Sequence, residues 1–358
     1  MSAQMLTGTG SGGDRRRKGA ARRVIAPLLL IVAIAAMIAY RGESSTASSA
    51  QGARLPQALP PATASVDLGA TTTPLARNEW RAWKPSELSS VNRLEGVIHK
   101  HLSVVMWYSD WKQGPVSVAQ LRAVSRRGSV PQITWEPWDY TKGPYSRQGE
   151  YSLRSIADGA HDAYIRSWAQ RLAAYGKQIR LRFAQEMNGN WYPWSARAYG
   201  NSPAEFVAAW RHVHDLFRAA GANNVVWIWS PVAIAASIDA EEYPGDRYVD
   251  MVGLSLFNGG SQLKYGPWKS FAEKLDRPLA ILRRIAPSKP VEISEVGVAE
   301  RGGDKARWIR EMFGTLAAHP EIVSLIWFDV PTASDWRVET SRTAERAFAV
   351  GAGSPRYR

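Results

Sequence analysis

The chain has 358 residues, contains no cysteine, and carries 45 lysines and arginines against 32 aspartates and glutamates. The lack of cysteine excludes a disulfide framework, a thiolate nucleophile and a cysteine-based metal site. Residues 1–41 contribute +6 of the formal charge of +13 and the other basic residues are scattered, so the sequence predicts no nucleic-acid partner.

An uncharged apolar run at residues 24–40 follows a basic cluster at residues 15–23. The run is just long enough to span a bilayer, and its basic flank predicts residues 1–23 as a cytoplasmic tail. No pair of small residues at signal-peptidase spacing directly follows it. We therefore expect an inner-membrane anchor at residues 24–40 with the rest of the chain in the periplasm. The alternative is a signal peptide whose cleavage secretes the protein.

The next segment, residues 41–64, is rich in Ser, Ala, Thr, Gly and Pro and has few large apolar side chains. This composition is typical of a flexible linker. Residues 65–358 then form a single predicted domain, which is long enough for an α/β barrel.

Strand and helix patterns alternate along residues 65–358. Strands are predicted at residues 66–71, 102–108, 130–135, 179–185, 225–230, 248–256, 291–294 and 322–328. Helices are predicted at residues 86–101, 162–175, 203–220, 268–285 and 304–318. Eight buried strands with helices between them predict an α/β fold, a (β/α)8 or TIM barrel, behind an N-terminal membrane segment and flexible tether. Two parts of the sequence fit this barrel pattern least well. They are the first strand and the segment 231–247, which has no helical pattern.

Two glutamates follow predicted strands. Glu186 lies in the segment RFAQEMNGNWYPW that starts at Arg182, and Glu295 lies in KPVEISEVG. In a TIM barrel the active site is at the carboxyl ends of the strands, so the fourth and seventh strands would place both acids across one pocket. Paired carboxylates at such positions are typical of glycoside hydrolysis.

These segments resemble glycoside hydrolase family 26, whose barrels carry an R-x-x-x-E-M-N-G motif and a later E-x-G motif. The matching residues are Arg182, Glu186-Met187-Asn188-Gly189 and Glu295-Val296-Gly297, and the segment Trp135-Glu136-Pro137-Trp138 extends the match. The resemblance loosely covers residues 66–350. It implies a retaining reaction without a cofactor, with Glu186 as general acid and base and Glu295 as nucleophile.

Arg182 precedes Glu186 by four residues and so points to the same inner side of the barrel. We expect its guanidinium to pair with Glu295. Glu292 competes for the nucleophile role, but three residues from Glu295 it is expected on the opposite side of the strand, in a structural role.

Several polar and aromatic residues follow the predicted strands and are candidates for sugar binding. Flat aromatic rings stack on sugar rings, and amides bond hydroxyl groups. The predicted substrate-binding set is Arg182, Gln185, Asn188, Trp191, Trp194, Trp135, Glu136, Trp138, Trp229, Phe257 and Trp327, with Trp107 and Tyr108 placed similarly. The histidines lack acidic neighbours at ligand spacing, so no metal site is predicted.

Two positions depart from the family pattern. Gln185 stands where the family usually has His, and Phe257 stands where it commonly has a Tyr whose hydroxyl contacts the nucleophile. The first hypothesis is a membrane-tethered endo-β-glycanase, with β-1,3-1,4-glucan favoured over β-mannan as substrate. The second is a polysaccharide-binding or chain-guiding subunit of an exopolysaccharide synthesis or export machine with little hydrolysis.

Overall fold

Eight parallel strands pair in chain order and close into a barrel in the computed structural model, which describes residues 65–76, 83–260 and 266–358. The strands are β1 Asp67–Thr72, β2 Val104–Asp110, β3 Val130–Glu136, β4 Ile179–Phe183, β5 Val225–Trp229, β6 Met251–Asn258, β7 Val291–Val298 and β8 Ile322–Asp329. The predicted TIM barrel is confirmed, including its first strand. The anchor and linker predicted at residues 24–40 and 41–64 lie outside the described residues.

Helices cover the outside of the barrel. They are α1 Thr73–Ala76, α2 Ser89–Ile98, α3 Val118–Arg126, α4 Leu153–Ala157, α5 Asp162–Tyr175, α6 Pro203–Ala219, α7 Phe271–Ile285, α8 Lys305–Ala317 and α9 Arg342–Ala352. All five predicted helices are present. Between β5 and β6 there is only a short 3-10 turn at Ala240–Glu242, as the lack of a helical pattern indicated. None of the described helices is both long and apolar enough to cross a membrane.

Side chains alternate along each strand between the barrel interior and the layer under the helices. Part of the interior is filled by an apolar group, which includes Met106, Tyr108, Ile326 and Phe328. The layer between barrel and helices is a larger, tryptophan-rich core that includes Trp135, Trp168, Trp210 and Trp327. Many of the tryptophans therefore stabilise the contact between the barrel and its helices.

A shift in the strand register of β7 brings two glutamates to the interior. Leu254 on β6 pairs with Ile293, whereas the next residue, Ser255, pairs with Glu295, so β7 has one extra residue at Ser294. Because of this extra residue, Glu292 and Glu295 both point inward. The expectation that Glu292 faces the opposite side of the strand was wrong for that reason.

Glu292 belongs to a buried polar layer nearer the amino ends of the strands. Its carboxylate accepts hydrogen bonds from Gln132 Nε2 at 2.7 Å and from Arg180 Nη1 at 3.2 Å. Arg180 also pairs with Asp67 on β1, and Arg358 Nε donates to the same aspartate at 2.7 Å. These contacts stabilise the lower end of the barrel and separate Glu292 from the carboxyl-end pocket.

Candidate active site

Glu186 lies on a strained connection that leaves β4 at the carboxyl end of the barrel. The sequence predicted Glu186 directly at the end of a strand over residues 179–185. In the structure β4 ends at Phe183, so Glu186 lies three residues beyond the strand. Ala184 and Glu186 have left-handed backbone angles, with φ of 45° and 55°. Such conformations cost on the order of 1–3 kcal/mol each and persist where surrounding contacts fix them. Here the Glu186 amide donates to the Ser230 carbonyl oxygen at 2.8 Å.

Glu295 and Arg182 form a buried ion pair inside the barrel, as predicted. Nη1 of Arg182 donates to Oε1 of Glu295, and both side chains are almost fully enclosed. Nη2 of Arg182 donates to Ser255 Oγ at 2.5 Å. Oε2 of Glu295 has no hydrogen-bond partner of good geometry in the described part of the chain, and Tyr108 lies near this carboxylate. One oxygen of Glu295 is thus held in place while the other is available to a ligand.

The carboxyl group of Glu186 is buried close to that of Glu295. Its Oε2 accepts a hydrogen bond from Trp191 Nε1 at 3.1 Å. Burial, and then the negative charge of Glu295, raise the pKa of Glu186 to about 7, while Arg182 opposes the rise. Around neutral pH a substantial share of Glu186 therefore carries a proton.

A third buried carboxyl group, Glu136, ends β3 beside the same pocket. Gln185 Nε2 donates to its Oε1 at 2.6 Å, and Trp138 Nε1 donates to its Oε2 at 3.3 Å. Burial raises the pKa of Glu136 to about 8, and nearby Asp110 adds to the rise against the opposing hydrogen bond from Gln185. The Gln185 amide is thereby oriented, and its Oε1 has no partner among the described residues.

The loop after Glu186 is built from interlocking aromatic rings. Tyr192 and Trp194 stack with centroids 4.3 Å apart, and Trp138 meets Trp194 edge-on at 5.5 Å. Trp194 Nε1 donates to the Gln185 carbonyl oxygen at 2.7 Å. A Cβ atom at Gly189 would lie 2.3 Å from the Trp191 ring, so only glycine fits beneath that ring. This packing fixes the loop that carries Glu186.

Asn188 fastens the same loop to its neighbour. Its Nδ2 donates to the Val232 carbonyl oxygen at 3.0 Å and to Ser237 Oγ at 2.9 Å, and its Oδ1 accepts from the Val232 amide at 2.9 Å. Both ends of the amide are therefore used within the protein. These bonds join the loops after β4 and β5, and the predicted sugar-binding role of Asn188 stays a prediction.

Four tryptophans predicted to line the pocket instead pack outside the barrel wall. Their ring partners and centroid distances are Trp83 for Trp107 at 5.5 Å, Trp168 for Trp135 at 4.7 Å, Tyr243 for Trp229 at 5.2 Å and Phe348 for Trp327 at 5.1 Å. Each alternates along its strand with inward-facing neighbours, so its ring points away from the interior. The predictions that Trp135, Trp229 and Trp327 bind sugar are wrong for this reason.

Within the described residues, no group of three histidine, aspartate or glutamate side chains could hold a metal ion. The chemistry that the geometry offers is that of two neighbouring carboxyl groups in different environments. One pairs with a guanidinium, and the other carries a raised pKa.

Comparison with known proteins agrees with this architecture. Residues 125–275 match the model of glycosyl hydrolase family 26. Endoglucanase H from Acetivibrio thermocellus is 35% identical over 299 residues, which are 80% of this chain and 31% of that protein. The resemblance to family 26 is confirmed. A mannan endo-1,4-beta-mannosidase A and B from Caldalkalibacillus mannanilyticus is 27% identical over 43% of this chain and 26% of its own length.

The chain thus spans less than a third of the length of these two curated relatives. Among solved structures, a family 26 beta-mannanase from Bacteroides ovatus superposes with a TM-score of 0.61 at 18% identity, covering 82% of this chain and 90% of that one. At this identity the likeness shows a shared fold.

The family 26 tyrosine that the sequence lacks on β6 is replaced by the ring of Phe257. This ring points into the barrel and packs against Phe328 at 5.4 Å and Trp336 at 5.1 Å. A phenol nevertheless lies near Glu295, since Tyr108 comes from the neighbouring part of β2. Burial, and then the negative charge of Glu295, raise the pKa of Tyr108 well above its usual range. The pocket therefore retains a tyrosine hydroxyl near Glu295, from a different strand.

Sequence reasoning missed Ser255, Asp110, Tyr192 and Trp336 as parts of this site. Asp110 ends β2 in the same way that Glu136 ends β3, and burial raises its pKa to about 6. Its position at a strand end was a signal that could have been used. Trp336 lies in the loop after β8, and no local pattern distinguishes it from a core tryptophan.

Proposed function

We propose that this protein is a retaining endo-β-glycanase of family 26 type that cleaves a β-linked polysaccharide. The observation that carries the proposal is the contrast between two adjacent buried carboxyl groups, Glu295 paired with Arg182 and Glu186 with a pKa raised to about 7. A retaining glycosidase needs one ionised carboxylate to attack and one carboxylic acid to donate a proton.

In the first step, an oxygen of the Glu295 carboxylate attacks the anomeric carbon. The carbon–oxygen bond to the leaving sugar breaks as Glu186 transfers its proton to the leaving oxygen. In the second step, Glu186, now ionised, removes a proton from water, and the water oxygen displaces Glu295 from the sugar. Oε2 of Glu295 is the available attacking atom, since Oε1 is held by Arg182.

Gln185 and Trp191 are proposed to position the sugar at the point of cleavage. The free Oε1 of Gln185 is suited to accept a hydrogen bond from a sugar hydroxyl, while Glu136 holds the other end of the amide. The ring of Trp191 lies over Gly189, and its Nε1 donates to Glu186. The ring is therefore beside the acid that is proposed to protonate the leaving sugar. Trp138 donates to Glu136, and Trp194 donates to the carbonyl oxygen of Gln185, so both tryptophans help to hold Gln185 in place.

The favoured substrate is a β-1,3-1,4-glucan, with β-mannan next. Support comes from the relative named Endoglucanase H, which is matched over 80% of this chain, whereas the mannosidase from Caldalkalibacillus mannanilyticus is matched over 43%.

A second candidate is a polysaccharide-binding or chain-guiding subunit of an exopolysaccharide synthesis or export system. Two residues motivate it, since Gln185 cannot titrate as a histidine would and Phe257 offers no hydroxyl to Glu295. The Tyr108 phenol near Glu295 and the raised pKa of Glu186 favour hydrolysis.

The test is hydrolysis of a panel of β-glucans and β-mannans by the wild-type protein and by Glu295→Ala. Loss of the nucleophile is expected to lower turnover by several orders of magnitude. If neither protein cleaves any member of the panel while both bind one, the binding-subunit candidate is favoured. If Glu295→Ala keeps more than about a tenth of wild-type turnover, the assignment of Glu295 is wrong.

We also propose that residues 24–40 anchor the protein in the inner membrane with the barrel in the periplasm. The support is the length of the apolar run and the basic cluster before it. Amino-terminal sequencing and membrane fractionation of the expressed protein test this. A soluble product that begins after residue 40 would show a secreted protein instead.

A further inference from the structure

The face of the barrel at the amino ends of the strands, opposite the proposed catalytic pocket, is strongly basic. It is formed by the last turns of the helices and the segments that lead into the strands, at residues 95–103, 123–129, 172–178, 216–224, 244–250, 282–290, 314–321 and 349–358. These segments contain eleven lysines and arginines but only four aspartates and glutamates. This amino-end face therefore carries a net positive charge.

The loops at the carboxyl end have the opposite balance of charge. Their described residues are 73–76, 83–88, 111–117, 137–161, 184–202, 230–243, 259–260, 266–270, 299–304 and 330–341. These contain twelve aspartates and glutamates and nine lysines and arginines. An anionic surface is therefore expected to attract the amino end of the barrel and not the end that carries Glu186.

Much of the positive charge on the amino-end face is not neutralised within the protein. Two of its acidic residues are already paired, Glu95 with Arg127 and Glu321 with Arg283. Four of its basic residues form no ion pair with another described residue, and they are spread around the face: Lys100, Arg126, Lys177 and Arg284. The face can therefore bind an anionic partner without breaking an internal ion pair.

Helix dipoles explain only part of this charge. A basic residue in the last turn of a helix stabilises the partial negative charge there, which accounts for Arg126 and Arg284. Lys177, Arg247 and Lys289 lie in the segments beyond the helices. Their positive charge indicates an external partner.

The chain enters the barrel at this same face. The Val66 amide donates to the Arg356 carbonyl oxygen at 2.7 Å, and the Arg358 amide donates to the Val66 carbonyl oxygen at 3.0 Å. Residues 41–64, predicted as a flexible linker, separate this point from the apolar run at residues 24–40. A flexible chain of that length has a root-mean-square span of about 25–29 Å. A bilayer that holds the proposed anchor is thus within reach of the amino-end face.

An apolar groove adjoins the point of entry. This cavity of about 340 Å³ between α8 and α9 is lined by Phe313, Val350 and Tyr357, together with Arg310 and Arg356. Val350 is 71% exposed. Apolar side chains next to arginines are typical of surfaces that contact the headgroup region of a bilayer. An acidic polysaccharide would match the charge of the face and leave the groove unused.

We propose that the amino-end face, with the groove beside it, lies against the anionic phospholipids of the membrane that holds the anchor. The opposite end of the barrel, with Glu186 and Glu295, then points away from the bilayer. This inference goes beyond the proposed hydrolysis, and it rests on the proposed anchor for the nearness of the membrane.

The test measures which end of the barrel lies near the lipid. Because the full chain has no cysteine, one introduced cysteine carries a single fluorescent dye. Ser288→Cys places the dye at an exposed position on the amino-end face, and Ala240→Cys places it at an exposed position among the carboxyl-end loops. Each labelled full chain is inserted into nanodiscs whose lipid headgroups carry a quencher.

In nanodiscs of phosphatidylcholine with about 30% phosphatidylglycerol, the dye at position 288 should be quenched several times more than the dye at position 240. In phosphatidylcholine alone, or at about 0.5 M salt, the two dyes should be quenched to within about twofold of each other, because charge attraction is absent or screened. Alginate, an acidic polysaccharide, serves as the competing partner in a separate binding measurement.

A fourfold variant and a matched control test the charge. The variant replaces by glutamine the four unpaired residues Lys100, Arg126, Lys177 and Arg284. Each such residue near an anionic surface is expected to contribute about fivefold to the affinity for that surface. The variant should therefore lose the difference between the two dyes. The control replaces by glutamine four exposed arginines on the helices of the barrel wall, Arg122, Arg171, Arg277 and Arg346, and should keep that difference. Thermal melting shows whether each variant is folded.

The outcomes separate this inference from the proposed anchor. Flotation of the full chain with phosphatidylcholine vesicles at about 0.5 M salt reports on the anchor alone, because charge attraction is then screened. If the chain floats but the two dyes are quenched alike on the anionic nanodiscs, or the control loses the difference as the variant does, the surface is overturned and the anchor stands. Flotation with the anionic vesicles alone, lost in the fourfold variant, would keep the surface and overturn the anchor. Binding of alginate without quenching by the anionic bilayer would assign the face to a polysaccharide and overturn the inference.

Discussion

Replacing Glu136 by glutamine should make the stability of the protein less dependent on pH. Glu136 is fully buried, and its pKa of about 8 in the fold compares with an ordinary value of 4.5. The folded protein therefore holds a proton that the unfolded chain releases. Its contribution to stability is complete below about pH 4.5 and is lost as the pH rises towards 8. Glutamine mimics the protonated acid and does not titrate.

The expected size follows from this difference in pKa. Between the two pKa values, the free energy of unfolding of the wild type falls relative to that of Glu136→Gln by about 1.4 kcal/mol per pH unit. Between pH 5 and pH 7 the free energy of unfolding of the variant should therefore rise by about 2.7 kcal/mol relative to that of the wild type. The introduced amide oxygen can still accept the hydrogen bond from Gln185, whereas the bond that Trp138 donates to Oε2 is lost at every pH, so only the pH-dependent part of the difference reports the charge.

Urea unfolding at pH 5, 6, 7 and 8 measures this difference directly. Glu150→Gln, at an exposed position in the loop after β3, is the matched control and should follow the wild type at each pH. If the difference between Glu136→Gln and the wild type stays constant within about 0.5 kcal/mol across this range, Glu136 is not held protonated by burial and the reasoning is refuted.

Three further predictions concern the catalytic pocket. Arg182→Leu breaks the buried ion pair and should lower the free energy of unfolding by about 3–5 kcal/mol in urea titration; a loss below about 1 kcal/mol would contradict its place in the core. Glu186→Ala should spare aryl substrates with good leaving groups and remove the fall in kcat/KM above about pH 7, so equal losses on activated and natural substrates would refute its role as acid. Affinity for a neutral glycan should change little between low and moderate salt in calorimetry, whereas a steep decrease would indicate an acidic polysaccharide.

Most of the barrel could be predicted from the sequence because apolar strands and amphipathic helices alternate regularly. Four of the described helices were missed. The helices α1, α3 and α4 are short, with 4, 9 and 5 residues, and the buried residues of α9 are mostly alanines, so their apolar patterns are weak. The ion pair between Arg182 and Glu295 followed from strand periodicity and is present. The direction of Glu292 did not follow, since the extra residue in β7 cannot be recognised from local sequence.

The aromatic residues were harder to assign. A tryptophan at a strand end has the same local pattern whether it faces a pocket or a helix, and Trp135, Trp229 and Trp327 lie in the outer layer. Trp191 and Trp194 follow a strand on a loop, where hydrogen bonds to Glu186 and to the Gln185 carbonyl oxygen determine their positions. Those bonds depend on the left-handed turn at Ala184 and Glu186, which the sequence does not indicate because neither residue is glycine.

The central claim is that Glu295 forms a covalent bond to the sugar while Glu186 supplies the proton. The most direct measurement is mass spectrometry of the protein after incubation with an activated 2-deoxy-2-fluoro β-glucan oligosaccharide, which slows release of the intermediate. We predict a single sugar adduct on the proteolytic peptide that contains Glu295, and no adduct with Glu295→Ala. An adduct on another residue, or none on a preparation that hydrolyses β-glucan, would contradict the claim.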